Sequence, residues 1–293
     1  KKMIIANLIG GLGNQMFQYA VSFAVARTKG AQLKLDISNF NGYELHNGYE
    51  LNRIFDINTP IASREEVESM LGWKSNSLIR KLYRKIFKGT VQSNYIIEPT
   101  FTYWSNVYQL EDMAYLEGYW QSEKYFAEIA SDVRERFTFK VALEDKNLEL
   151  SHLINTSNSV SLHVRRGDYV SNAANSKVYY RCSMDYYNRA IESVAKAVNN
   201  PVFFVFSDDI KWAKDNLNVD YEFVFIDHNR GEGSYVDMQL MSMCKHNIIA
   251  NSTFSWWGGW LNANPKKIVY SPKEWFVNGW SSDDLIPESW NRI

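Results

Sequence analysis

The chain opens on an apolar run, Met3 to Leu8, broken only by Asn7 and closed by the glycine turn Gly10 to Gly13. Apolar residues then recur at helical spacing from Asn14 to Thr28, and a second short apolar run spans Leu33 to Ile37, so the pattern predicts a strand-helix-strand opening. Residues 60 to 150 read as mostly helical with loops, with helical stretches at Arg64 to Leu71, at 78 to 88 and at Glu123 to Phe137. From Ser159 onward the alternation becomes regular. Strands are predicted at 159–164, 202–206, 222–226, 247–250 and 267–270, with helices at 184–198, 210–217, 234–243 and 254–263. Such alternation specifies a parallel, doubly wound sheet. The polar stretch Asn155 to Asn158 marks the expected boundary between two Rossmann-like α/β domains, 1–155 and 156–293, facing across a cleft. Ligands of such sheets sit beyond the carboxyl ends of the strands.

Composition narrows the class. A length of 293 residues suits two domains. The aromatic share of 15% is high and suits sugar faces, although most aromatics are core residues. A net charge of −1 gives no broad basic field, which argues against nucleic acid as a partner and requires any anion site to be local. Cys182 and Cys244 stand far apart without metal or redox spacing, so both are read as buried thiols in a reducing compartment. No apolar run reaches the length of a membrane span and the first strand lacks a cleavage pattern, so a cytoplasmic protein is expected. Residues 78 to 88, L-I-R-K-L-Y-R-K-I-F-K, place Leu78, Leu82 and Ile86 at helical spacing against Arg80, Lys81, Arg84, Lys85 and Lys88. This is either a solvated helix face or a peripheral contact with the inner surface of an anionic membrane.

Chemistry concentrates at the predicted strand ends. Val160 to Asp168, V-S-L-H-V-R-R-G-D, reads as a half-buried strand with His163 and Arg165 on one face and a turn at Gly167. Arginine grips a pyrophosphate bidentately without titrating, so Arg165 and Arg166 form either an anion clamp or a salt-bridged strand end with Asp168. The next strand delivers Ser207, Asp208 and Asp209, carboxylates suited to ribose hydroxyls or to capping the following helix. Another delivers Asn251, Ser252, Thr253, Phe254 and Ser255 at a helix N-terminus, where free N–H groups and hydroxyls suit a phosphate. Asp237, on the preceding helix, could accept the two N–H groups of a guanine edge or simply be an exposed helical residue.

The first turn, G-G-L-G-N-Q-M-F at 10 to 17, lacks the third glycine of a dinucleotide loop and the lysine of a P-loop. Asp36 nevertheless ends the second strand where a nicotinamide-binding acid would stand, which keeps an oxidoreductase open. Against that reading, it leaves the arginine pair and N-S-T-F-S unexplained. A non-catalytic sugar-binding protein is a third reading, but it has no use for a pyrophosphate clamp. No D-x-D pair or H-E-x-x-H occurs, so no metal is expected. The cluster G-Y-W-Q-S-E-K-Y-F at 118 to 126 and the pair Trp256-Trp257 could line an acceptor sugar or belong to the core.

Taken together, G-G-L-G-N-Q-M-F-Q-Y-A at 10 to 20, G-Y-W-Q-S-E-K-Y-F at 118 to 126, H-V-R-R-G-D-Y at 163 to 169, S-D-D at 207 to 209 and N-S-T-F-S-W-W-G-G-W-L at 251 to 261 resemble glycosyltransferase family 11, the α-1,2-fucosyltransferases. The resemblance covers nearly the whole chain. It implies a GT-B-like fold, GDP-L-fucose as donor, no metal or other cofactor, and inverting transfer to O2 of a terminal galactose in a glycan acceptor, lipid-linked or free. By motif, Arg165 would meet the leaving β-phosphate, His163 and Asp237 the guanine, and Arg166 and Asp168 would brace the loop. Asn14, with Gly11 and Gly13, would border the fucose; Ser207 to Asp209 and Asn251 to Ser255 would complete the donor site; Tyr119, Trp120, Gln121 and Glu123 would meet the acceptor. Asp168 and Glu123 are the candidate acceptors of its proton.

Overall fold

The computed structural model describes residues 2–42, 46–91, 93–166, 181–217 and 220–293. They fall into two compact units, Lys1–Lys140 with Asp283–Leu285, and Val141–Ser282 with Ile286–Ile293. The division precedes the 155/156 boundary expected from the polar stretch. Its cause is the helix Asp145–Thr156, whose Leu150 and Ile154 pack with Val202, Phe204 and Ile226 of the second unit. No helix among the described residues is long and apolar enough to cross a membrane.

The first unit holds a parallel sheet in the order β2-β1-β4-β3, with β1 Met3–Asn7, β2 Gln32–Asp36, β3 Tyr95–Ile97 and β4 Met113–Glu117. The helix Leu12–Lys29 follows β1, starting two residues before its predicted limit, with Gly11 as N-cap. It ends at Gly30, which takes the left-handed conformation and donates its N–H to the Arg27 carbonyl. Strands β3 and β4 occupy the stretch expected to be helical with loops. Met113–Glu117, M-A-Y-L-E, is built largely of helix formers, and pairing to β1 on one side and β3 on the other overrides that preference. The predicted helix at Arg64–Leu71 is present, opened by a capping box between Ser63 and Glu66. Glu123–Phe137 is broken into two short 3₁₀ turns and the helix Ala130–Arg136.

The second unit carries a parallel sheet in the order β10-β9-β8-β5-β6-β7. Its strands are β5 Asn158–Val164, β6 Pro201–Ser207, β7 Glu222–Ile226, β8 His246–Ile248, β9 Val269–Ser271 and β10 Asn291–Arg292. The strands and helices from 158 to 271 follow the predicted alternation within one or two residues at nearly every end. The half-buried β5 expected from Val160, Leu162 and Val164 is instead buried on both faces from Ser159 to Val164. Those three apolar residues pack against Tyr187, Ile191 and Val194 of the helix Met184–Ala197. On the other face Ser161 accepts a hydrogen bond from Asn247 Nδ2 at 2.7 Å, and Asn247 also donates to the Met241 carbonyl and accepts from Asn262. Burial of both faces is the condition of a parallel sheet covered by helices. The chain runs β5-β6-β7 in one direction and β8-β9 in the other, so the topological switch point lies between β5 and β8.

Trp256 and Trp257 do not line an acceptor surface. Both are fully buried and form a ring cluster with Trp260 and Trp290. Beside them, a Cβ at Gly258 would stand 2.9 Å from Met241 Cβ, so this glycine sets the close approach of the helices Tyr235–Met243 and Thr253–Leu261. Gly258→Ala is therefore expected to lower the unfolding free energy by roughly 1–3 kcal/mol in urea titrations, the usual cost of overpacking. Gly259→Ala, whose nearest contact would be 3.4 Å, is expected to cost less.

Candidate active site

Where β5 ends, the loop carrying Arg165 and Arg166 is held by the S-D-D loop that follows the neighbouring β6. Ser207 Oγ donates to the Val164 carbonyl at 2.8 Å and accepts the Asp209 N–H at 2.9 Å. Asp208 accepts the Arg166 N–H at 2.8 Å, and its other oxygen stands 3.6 Å from Arg165 Nε. Asp209 caps the helix Ile210–Asn216 by accepting the Trp212 N–H at 3.0 Å. The carboxylates expected to meet a ribose thus spend contacts on the protein's own loop and helix. The two arginines differ in kind. The Arg166 guanidinium carbon lies 3.8 Å from the centre of the Trp212 ring, a cation–π stack, with Asp209 at 3.9 Å. Arg165 faces Asp208 at 3.6 Å, and its side chain is the more exposed of the two, 28% against 19%. Gly167 and Asp168 lie outside the described residues.

His163, the last residue but one of β5, is buried, and its Nδ1 has no hydrogen-bond partner among the described residues. Burial first, and the Arg165 charge second, push its pKa down to about 3, so the imidazole is neutral. Its ring lies 6.0 Å from that of Phe254, in the first turn of the helix Thr253–Leu261. The switch point therefore joins H-V-R-R to N-S-T-F-S. Within the latter motif, Asn251 is buried and donates to the Trp275 carbonyl, Ser252 caps the helix by accepting the Phe254 N–H, and Ser255 Oγ accepts the Ala250 N–H. Asn251 and Ser255 build the turn, and Ser252 and Thr253 are the partly exposed hydroxyl residues at the helix N-terminus, where backbone N–H groups favour an anion.

Asp237 is not an exposed helical residue. It accepts Asn229 Nδ2 at 2.8 Å, Asn229 and Asn147 are hydrogen-bonded to each other, and the His228 ring nitrogen lies 2.8 Å from Asn147 Oδ1. Desolvation raises its pKa to about 7, against the lowering effect of the Asn229 hydrogen bond.

In the first unit the glycine turn and the G-Y-W-Q stretch meet directly. Asn14 Oδ1 accepts Gln121 Nε2 at 3.0 Å. Gln15 is buried and donates to the Gly10 and Gly48 carbonyls while accepting the Glu50 N–H, so it fixes the turn. Gly11 caps the helix and Gly13 is buried in its first turn. Tyr119 is exposed and Glu123 partly so, whereas Trp120, expected to meet the acceptor, is buried and stacks edge-on against Tyr125 at 5.6 Å. Glu98, which sequence reasoning missed, accepts the N–H groups of both Tyr119 and Trp120 at 2.7 and 3.0 Å. Its one signal was isolation, since it is the only charged residue between Lys88 and Glu111. Trp212 and Asn229 carried no signal at all. Asp36 is buried, accepting the Tyr115 hydroxyl at 2.6 Å and the Ser38 N–H at 3.0 Å, which removes it from service as a cofactor ribose acid. Among the described residues no group of three or more His, Cys, Asp or Glu side chains could hold a metal ion.

Two parallel α/β units, the second with an arginine loop and a hydroxyl-capped helix at its switch point, make a GT-B-like fold. The family model described as Glycosyl transferase family 11 matches residues 67–292, and the chain belongs to that family. It is 39% identical to an α-1,2-colitosyltransferase of Escherichia coli over 99% of each chain. It is 34% identical to the O-antigen biosynthesis glycosyltransferase WbnK of the same organism, over 98% of this chain and 99% of that one. A galactoside α-(1,2)-fucosyltransferase 2 of Rattus norvegicus is 27% identical over 88% of this chain and 67% of its own. In fold, the chain is similar to the crystal structure of fucosyltransferase NodZ from Bradyrhizobium, with a TM-score of 0.57 at 13% identity, covering 88% of this chain and 92% of that one.

The raised pKa of Asp237 has a definite sign. The unfolded chain loses this proton near 3.8 and the folded chain near 7, so the stability associated with the protonated acid is present below about 4 and is lost as pH rises toward 7. Asp237→Asn, which keeps the neutral form, should match the wild type in unfolding free energy below about pH 4. Its advantage should then grow with pH and level off above about 7, as read from denaturant titrations across that range.

Proposed function

We propose that this chain is an inverting α-1,2-fucosyltransferase that moves L-fucose from GDP-L-fucose to O2 of a terminal galactose, on a free or lipid-linked glycan, without a metal ion. The observation that carries the reading is the pairing of β5 with β8, which sets Arg165 and the N-terminus of the helix Thr253–Leu261 at adjacent strand ends. In this reading Arg165 and that helix terminus take the negative charge that builds on the β-phosphate as the C1–O bond breaks. Arg166, stacked on Trp212, and Asp168 brace the loop. Neutral His163 and Asp237 meet the guanine, whose two N–H donors would draw Asp237 toward its carboxylate form. Asn14, Gly11 and Gly13 border the fucose, and Gln121, Tyr119 and Glu123 meet the acceptor, with Trp120 as their buried support. The acceptor oxygen attacks C1 from the face opposite the phosphate and gives its proton to a carboxylate, Asp168 or Glu123.

One observation favours a second donor: the relative at 39% identity carries the name of a colitosyltransferase, and colitose is fucose without its 3-hydroxyl. A site that hydrogen-bonds that hydroxyl rejects the deoxy sugar by several orders of magnitude, whereas one that does not tolerates both.

Purified protein given a β-galactoside and either GDP-L-fucose or GDP-colitose, in the presence of EDTA, separates these readings by GDP release and by NMR of the new linkage. The expected result is turnover with GDP-L-fucose and a product carrying an α-1,2 bond. Turnover with GDP-colitose alone would replace the donor, and GDP release abolished by EDTA would replace the metal-free mechanism. Arg165→Ala is expected to lower kcat by on the order of a hundred- to thousandfold, as for loss of a preorganised charge-stabilising donor. Near-normal turnover by that variant removes Arg165 from the role.

A further inference from the structure

The amphipathic helix Ser77–Ile86 of the first unit is attached the wrong way round for a core helix. Asn76 caps it, accepting the Leu78 and Ile79 N–H groups. Its one buried residue is Tyr83, stacked on Phe87 and Tyr95 at 4.4 and 5.4 Å and edge-on to Trp73 at 6.0 Å. On the same side Arg84 is ion-paired with Glu117 of β4, and Arg80 donates to the Lys74 and Ser75 carbonyls. Two of the five basic residues counted along this stretch are therefore turned into the unit. The aliphatic row points outward: Leu78, Leu82 and Ile86, one above another at intervals of four, are 78%, 60% and 62% exposed. Trp73, at the start of the segment, is 66% exposed. These are the most exposed large apolar side chains among the described residues. Lys81 and Lys85 border the row and Lys88 follows it, all exposed. No Asp or Glu stands between Glu68 and Glu98.

We propose that this face is the protein's docking surface for an anionic phospholipid bilayer. An aliphatic row three residues long, left in water, is unfavourable until a medium without hydrogen-bonding demands covers it. The acid-free run around it fits a negatively charged covering, and lysines bordering such a row can lay their methylenes along it while keeping their charge among headgroups. Trp73, apolar in body with one N–H donor, suits the same boundary. The tyrosine stack and the Arg84–Glu117 pair hold the helix from behind, so its outward face needs no refolding to meet a surface. This inference does not depend on the transferase reading.

The test uses the full chain with sedimented vesicles of phosphatidylcholine, alone and mixed with an equal part of phosphatidylglycerol. The expected result is binding to the mixed vesicles, weakened by salt, and little to the neutral ones. Lys81→Gln with Lys85→Gln should lower partitioning to the mixed vesicles by roughly thirtyfold, at the usual contribution of each surface lysine. Leu82→Glu should lower it as well. Because all three side chains are exposed, thermal unfolding and turnover of a water-soluble acceptor should be unchanged. Equal binding to both vesicle types, or none to either, overturns the proposal. So does lipid-free self-association of the wild type that Leu82→Glu abolishes, which would assign the face to a second copy of the chain.

Discussion

The second unit depends on the burial of β5. A strand with helices on both faces and strands on both edges leaves no solvent for its polar atoms, so every one must be answered from within. The backbone is answered by β6 and β8. Ser161 is answered by Asn247, which is tied in turn to Asn262 and the Met241 carbonyl, so β8 and the helices beside it are fixed relative to β5 by hydrogen bonds as well as by packing. Among the described residues one atom in this accounting has no partner, the Nδ1 of His163, and it sits where the strand gives way to the arginine loop. A buried nitrogen with no partner is unfavourable unless something else completes it.

The same constraint explains why the arginine loop can hold local positive charge in a chain whose net charge is −1. Asp208 fixes the backbone of Arg166, Asp209 fixes the helix on which Trp212 stands, and Trp212 carries the Arg166 guanidinium. Each anchor comes from the end of β6, whose register against β5 is set by seven consecutive residue pairs. Arg165 is the more exposed of the pair, 28% against 19% for Arg166, and faces Asp208 at 3.6 Å. A preorganised cation of this kind stabilises charge without reorganising when the charge appears.

Legibility from sequence followed how local each determinant was. In the second unit, long apolar segments alternate with capped helices, and the elements from 158 to 271 were readable to within a residue or two at most ends. In the first unit β3 and β4 were not, because one is three residues long and the other is written in helix formers. Both are strands only through partners remote in sequence. The site motifs were visible as clusters of polar residues at strand ends, but the division of labour inside them was not. Nothing in N-S-T-F-S distinguishes Asn251 and Ser255, which turn inward, from Thr253, and nothing near Asp237 points to Asn229 and Asn147. The basic stretch was legible as amphipathic, while the direction in which it faces was decided by Tyr83, an aromatic that outcompetes three aliphatic residues for the interior by stacking with Tyr95.

Trp120 shows how the first unit ties its glycine turn to the G-Y-W-Q stretch. It is a non-glycine residue at φ 56°, a left-handed conformation that costs about 1–3 kcal/mol and persists only where the surroundings impose it. Three features impose it. Glu98 takes the N–H groups of Tyr119 and Trp120 together, the indole is buried against Tyr125, and the space a side chain at Gly118 would need is already filled by Glu98. Burial pushes the Glu98 pKa up to about 7, and the two amides it accepts pull the other way, so the acid and the turn hold one another in place. The product of this strain is the orientation of the next residue: Gln121 is turned onto Asn14, at the head of the glycine turn. A relaxed backbone at Trp120 would carry Gln121 elsewhere. The conformation is therefore best understood as the means by which a buried aromatic, too enclosed to touch a ligand, sets the amide pair Asn14–Gln121.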